Sequence, residues 1–178
     1  MVKYSFFIFF GFILSVNNVI VDFQTESMCF EFDIVINEIN YNPSLELNQE
    51  DSDYEFIELY NFGDEPINLH GWYLNISSAH GCYRFGDITI GPNEYLVLSK
   101  NTEIYPGSVN IGMDNKLDND EDTITLRNPW YLIVDRVSYN DGHDCPEAHF
   151  VCWPHEPDAG GSTLELIDFY ADNNDASN

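Results

Sequence analysis

The feature that most limits what this chain can fold into is how often its apolar periodicity is cut short. From Phe32 onward, brief runs of alternating apolar and polar side chains are each stopped by glycine, proline, asparagine or aspartate. In DTITLRN, Ile124 and Leu126 face one way while Thr123, Thr125 and Arg127 face the other. STLELID sets Leu164 and Leu166 against Thr163 and Glu165 in the same manner. A period of two is that of a β-strand with one face buried. FDIVINEINY, YEFIELYN and INLHGWYLN read as strands, the last broken at Gly71. DITIGPNEYLVLSK reads as two short strands around a Gly91-Pro92 turn, and an NPW hairpin turn leads into YLIVDRVSYN. About eight or nine strands at this spacing, with no long amphipathic helix, predict a sandwich or barrel. Its predicted core is Ile57, Leu59, Trp72, Leu96, Leu98, Ile124, Leu126, Leu164 and Leu166.

Charge narrows the partners. Thirty-one Asp and Glu stand against six Lys and Arg, a formal charge of −25 spread along the chain. Such a surface repels phosphate backbones and cannot build a phosphate-tracking groove, so nucleic acid is not an expected partner. Cations, basic proteins and neutral ligands stay open.

The first residues carry one cation, Lys3, and then an apolar run from Phe6 to Leu14 that Asn17 and Asn18 interrupt. The run is short for a membrane span and reads as a secretory signal over residues 1–27, cleaved between Ser15 and Ser27. The mature chain is therefore expected to be secreted or at the cell surface, without a transmembrane span, as one domain over residues 32–175. Export favours disulfides. Four cysteines allow three pairings; Cys145 with Cys152, around the short loop PEAHFV, is preferred, which leaves Cys29 with Cys82. His143, His149 and His155 lie among Cys145 and Cys152 in a zinc-like spacing, but oxidation removes the thiolates zinc needs.

The order of four blocks resembles the lamin tail domain family. They are IVINEINYNP at 34–43, YEFIELYNFGDEPINLHGWYL at 54–74, IGPNEYLVLSK at 90–100, and a last block from LDNDEDTITLRN through IVDRVSY to GGSTLELIDFYADNNDASN. The resemblance implies an all-β, immunoglobulin-like antiparallel β-sandwich without a general catalytic site. The coiled-coil rod, basic import signal and prenylated end of the nuclear members find no counterpart in this sequence. The likeness is to exported, largely bacterial members.

Several residues are candidates for function. Trp130 and Tyr131 fall at a hairpin tip, where large aromatics often mark a contact surface, and Trp153 could join them. Asp118, Asp120 and Asp122, with Asp114 nearby, place carboxylates at alternate positions as a Ca²⁺ loop does. Thr123 and Pro129 stand where an EF-hand needs its glycine and closing glutamate, so any such site is loop-specific. Glu38, Glu55 and Glu58 could in principle do acid–base chemistry, but no nucleophile or catalytic signature accompanies them. Asn75-Ile76-Ser77 is a glycosylation sequon just after the Trp72 strand. The expected function is a secreted, non-catalytic interaction module for an extracellular protein or glycan. The alternatives are a structural component of an envelope or extracellular assembly and, further off, a metal-dependent enzyme.

Overall fold

In the computed structural model, residues 32–43, 51–79, 81–112, 117–142 and 152–178 are described. The expected signal segment, Asp114, Cys29, Cys145, His143 and His149 lie outside them. The described residues contain no α-helix, and their strands run β1 (Ile34–Asn40), β2 (Phe56–Asn61), β3 (Ile67–Asn68), β4 (Tyr73–Ile76), β5 (Cys82–Arg84), β6 (Thr89–Ile90), β7 (Tyr95–Ser99), β8 (Val109–Asn110), β9 (Glu121–Arg127), β10 (Ile133–Asn140) and β11 (Leu164–Glu165). A five-stranded sheet has the order β11-β1-β2-β7-β8, a four-stranded sheet β10-β9-β4-β5, and β3 pairs with β6. All pairings but β7 with β8 are antiparallel. This is an all-β, immunoglobulin-like sandwich.

Parity explains the layers. In β2, Ile57 and Leu59 are fully buried, while Phe56, Glu58 and Tyr60 alternate with them at intermediate exposure. Leu74 and Ile76 of β4 sit opposite Leu126 and Ile124 of β9, and all four are buried. A one-residue slip would turn each set out to solvent, so the register is strongly specified. In β1 the register shifts between Ile36 and Glu38. The extra residue lets Ile34, Ile36 and Ile39 all be buried although strict alternation would expose one.

Gly71 has φ 76 and turns the chain so that Trp72 enters the core, 3% exposed. A left-handed φ of that kind costs glycine nothing. Of the predicted core, Leu96 and Leu166 are only half-buried; the rest are buried. Leu166 follows the two-residue β11, and its backbone N–H donates to the Asn37 carbonyl at 2.8 Å.

No helix among the described residues is long and apolar enough to cross a membrane.

Candidate functional site

Asn128 builds the β9–β10 hairpin tip. Its buried side-chain Oδ1 accepts from the N–H groups of Trp130 and Leu132, both at 3.0 Å. Its backbone exchanges bonds with Tyr131 and Leu132, at 2.9 and 3.0 Å. Pro129 and Trp130 occupy the corner of the turn, and Tyr131 follows at φ 64. In hairpins of this shape that left-handed position ordinarily belongs to glycine. A bulky aromatic there costs about 1–2 kcal/mol of backbone strain. The turn therefore holds Tyr131 in a conformation its own side chain disfavours.

What the tip presents is apolar and aromatic. Trp130 is 68% exposed, Tyr131 51%, and Leu132 and Ile133 are exposed beside them. Arg127 donates to the Tyr131 carbonyl at 3.1 Å, and its guanidinium stands 4.7 Å from the Tyr131 ring centroid. Tyr131 meets Tyr73 edge to face at 5.3 Å, and Arg84 lies 5.8 Å from the Tyr73 ring. Two of the chain's three arginines thus gather at the root of the tip.

Trp153, expected to share this surface, does not. A Cβ on Gly142 would collide with the Trp153 carbonyl, which places Trp153 just beyond Asn140, at the far end of β10. Seven strand steps of ~3.4 Å separate that end from Ile133. The two tryptophans are on opposite ends of one hairpin.

The acidic loop serves the backbone. Asp122, buried, accepts from the Ser77 N–H (3.1 Å) and hydroxyl (2.5 Å), the Ser78 N–H (3.2 Å) and hydroxyl, and the Asp118 and Thr123 N–H groups. Asp118 accepts from Asp120 N–H at 2.9 Å in its own turn. With its lone pairs so engaged, Asp122 braces the end of β4 against β9. Among the described residues no cluster of three or more potential metal ligands forms.

The glutamates divide by parity. Glu55 points inward and its Oε2 accepts from Leu117 N–H at 2.8 Å, while Glu38 and Glu58 lie on the outer face of the five-stranded sheet. Glu38 and Glu58 thus stand on the opposite side of that sheet from Glu55, whose bond reaches the residue before Asp118.

Cys82 is a free, exposed thiol, so the expected Cys29–Cys82 pair is corrected. Position explains this: Cys82 opens the short edge strand β5 opposite Asn75. Cys152 is disulfide-bonded. His155, exposed, sits 3.1 Å from the Asp141 carbonyl. Asn75 lies inside β4 rather than after it, between Thr125 and Cys82, with its side chain half-buried.

Sequence reasoning overlooked two polar hubs, one at the buried Asn61 and one at the half-buried Asp135. Asn61 donates to the carbonyls of Glu65, Ile90 and Gly91 and accepts from Gly63 N–H, tying β2 to the β6–β7 turn. Asp135 accepts from Ile36 N–H at 2.6 Å and Asn173 Nδ2 at 2.7 Å. The visible signals were an asparagine and an aspartate, each interrupting a strand at an otherwise apolar stretch.

A family model described as Lamin Tail Domain matches residues 31–141. No curated protein matches the chain.

Proposed function

The chain belongs to the lamin tail domain family, a non-catalytic family of interaction and structural domains, and on that premise we propose that it is a secreted interaction module of the exported, bacterial-like kind, binding an extracellular or surface partner through the β9–β10 hairpin tip. The observation that carries this reading is the tip itself. Trp130, Tyr131, Leu132 and Ile133 stand exposed together on a turn that strains Tyr131 to present it. Strain kept at a surface position, where nothing in the core demands it, is a mark of use. Trp, Tyr and Arg are also the residue types that dominate hot spots in protein interfaces, which favours a protein partner over a glycan.

The remaining features of this reading are an N-terminal signal over residues 1–27, a mature domain over 32–175, a secreted or surface location, and a bond between Cys145 and Cys152. Its support is the charge and apolar pattern of the first residues, together with the bonded state of Cys152. Peptide mapping of the mature protein without reductant should recover Cys145 joined to Cys152, with Cys82 alkylated in the native state. Reversing those assignments would refute the pairing. Breaking the bond by Cys145→Ser should cost about 2–3 kcal/mol, the modest end for a small ring.

The function is tested by screening the oxidised protein against surface proteins and a glycan array, then repeating each positive with Trp130→Ala. Truncating an interface anchor costs about 2 kcal/mol or more, so the dissociation constant should rise by about thirtyfold. The melting temperature should hold, because Trp130 is mostly in solvent. A positive that ignores Trp130→Ala places the contact elsewhere and removes the tip from this role.

A further inference from the structure

A second surface lies on the outer face of the five-stranded sheet. Across it, Glu165 of β11 is opposite Glu38 of β1, and Glu38 is opposite Glu58 of β2. Three carboxylates therefore stand side by side on adjacent strands, about 4.8 Å apart per step. Glu38 accepts from the Thr163 hydroxyl at 2.6 Å and Glu58 from Asn37 Nδ2 at 2.9 Å. These neutral donors orient the carboxylates without cancelling their charge. Like charges directly opposite one another destabilise a sheet, so the row is a cost the fold bears.

Aromatic rings wall the row on both sides. Toward one end of the strands, Tyr60 stacks on Tyr95 at 4.4 Å, and Phe169 closes edge-on against Tyr60 at 5.7 Å. Toward the other, Phe56 meets Tyr105 at 5.2 Å. Tyr95, at the start of β7, is 56% exposed. The phenols feel the row: Tyr95 is raised above its ordinary range by desolvation, Tyr60, Glu58 and Glu165, and Tyr105 is raised by desolvation with Glu38 contributing.

We propose that this aromatic-walled sheet face docks an extended, arginine-bearing segment of a partner protein. Charge complementarity names the occupant, since a row of carboxylates in a chain of net charge −25 asks for cations. Geometry selects arginine. Its planar guanidinium takes a carboxylate through two N–H bonds and lies on a tyrosine ring, using both the floor and the walls. Spacing selects an extended chain. Alternate side chains of a strand are ~7 Å apart, so two arginines on one side of the segment span a row of ~10 Å. The hairpin tip belongs to a different strand pair in the other sheet, so the two surfaces can be tested separately.

The experiment uses the oxidised protein and a capped hexapeptide alternating arginine and threonine, titrated by calorimetry at moderate salt. The control peptide alternates glutamine and threonine. Saturable one-to-one binding of the first peptide is expected, with little of the second. The triple variant E38Q/E58Q/E165Q should weaken it at least tenfold, and Tyr95→Ala several-fold. D87N/D120N/E121Q, which removes the same charge from exposed positions off this face, should change it less than twofold. Trp130→Ala should leave it intact. Equal weakening by the two triple variants would reduce the effect to overall charge and overturn the proposal, as would failure of the arginine peptide to saturate. Tetramethylammonium competing as well as the peptide would also overturn it, because a point cation gains nothing from the extended row. Glutamine retains an acceptor oxygen toward Asn37 and Thr163, so the variants should fold; circular dichroism with a melting temperature no lower than that of the parent checks that they do.

Discussion

Glu58 and Asp122 show how environment, not residue type, decides what a carboxylate does here. Asp122 is legible in the sequence only as one of several alternating acids. Its donors, Ser77 and Ser78, come from 45 and 44 positions away in the chain, and no local spacing announces them. Glu58 has the opposite problem. Burial pushes its carboxyl above the ordinary range and Glu38 and Glu165 add to this, while the bond from Asn37 works against it. A carboxyl raised in the folded state binds its proton more readily there than in the unfolded chain. Ionisation therefore costs stability at neutral pH, and that cost is relieved as pH falls through the raised folded-state value toward the unfolded one. Glu58→Gln should stabilise the protein at pH 7. Because Glu58 is only half-buried, solvent screens its charge and the gain should be only about a few tenths of a kcal/mol. Urea unfolding of both proteins should show the advantage shrinking as the pH is lowered through the carboxylate range. An advantage that persists unchanged under acid would mean that the charge of Glu58 is not its source.

At the level of elements, legibility followed length. Strands β1, β2, β7, β9 and β10 are long enough to display two or three side-chain alternations, and the sequence marks each of them. Strand β5 has three residues, of which Cys82 and Arg84 are exposed, so its composition carries no parity signal. It exists because Tyr73, Leu74 and Asn75 of β4 offer it a partner, and it was missed. The turn between β9 and β10 was visible as Asn-Pro-Trp, but the strain at Tyr131 was not, since nothing in the sequence tells which residue takes the left-handed position. That strain makes a prediction about the hairpin. Tyr131→Gly relieves about 1–2 kcal/mol of backbone cost and forfeits the ring contact with Tyr73 and the Arg127 guanidinium, together worth about as much. Thermal unfolding should thus show a net change within about 1 kcal/mol, while binding through the tip falls. A loss of several kcal/mol would show that Tyr131 holds the hairpin together, which would remove strain as a sign of function.

Over the whole molecule, the boundary of the domain is set by polar contacts that cross from one sheet to the other. The family match ends at residue 141, just after β10, yet the fold does not. The run at 172–175 reads in the sequence as a strand stop that bonds its own backbone, and Asn174 N–H to Asp172 at 3.0 Å does this. Its larger role is long-range. Asn173, buried, donates to the Ile36 carbonyl at 3.1 Å and to Asp135 at 2.7 Å, joining β1 of one sheet to β10 of the other. Asn174 meanwhile accepts from Ser138 N–H on the outer edge of β10 at 2.6 Å, covering an edge that would otherwise invite pairing. Asp135 is itself pushed upward by burial, with Asp172 adding to the rise and the bonds from Ile36, Asn173 and Arg136 working against it. Asn173→Ala would take one donor from the half-buried Asp135 carboxylate and leave the Ile36 carbonyl with one partner fewer. Leaving such groups short costs about 2–3 kcal/mol. A chain ending at Asp168 should lose at least that and also bare the edge of β10, so it should aggregate on heating where Asn173→Ala unfolds reversibly. Chemical denaturation measures the first effect and light scattering during a thermal ramp the second. If the shortened chain is as stable and as soluble as the full one, the domain ends before its last ten residues, and the clasp seen between Asn173 and the two sheets is incidental.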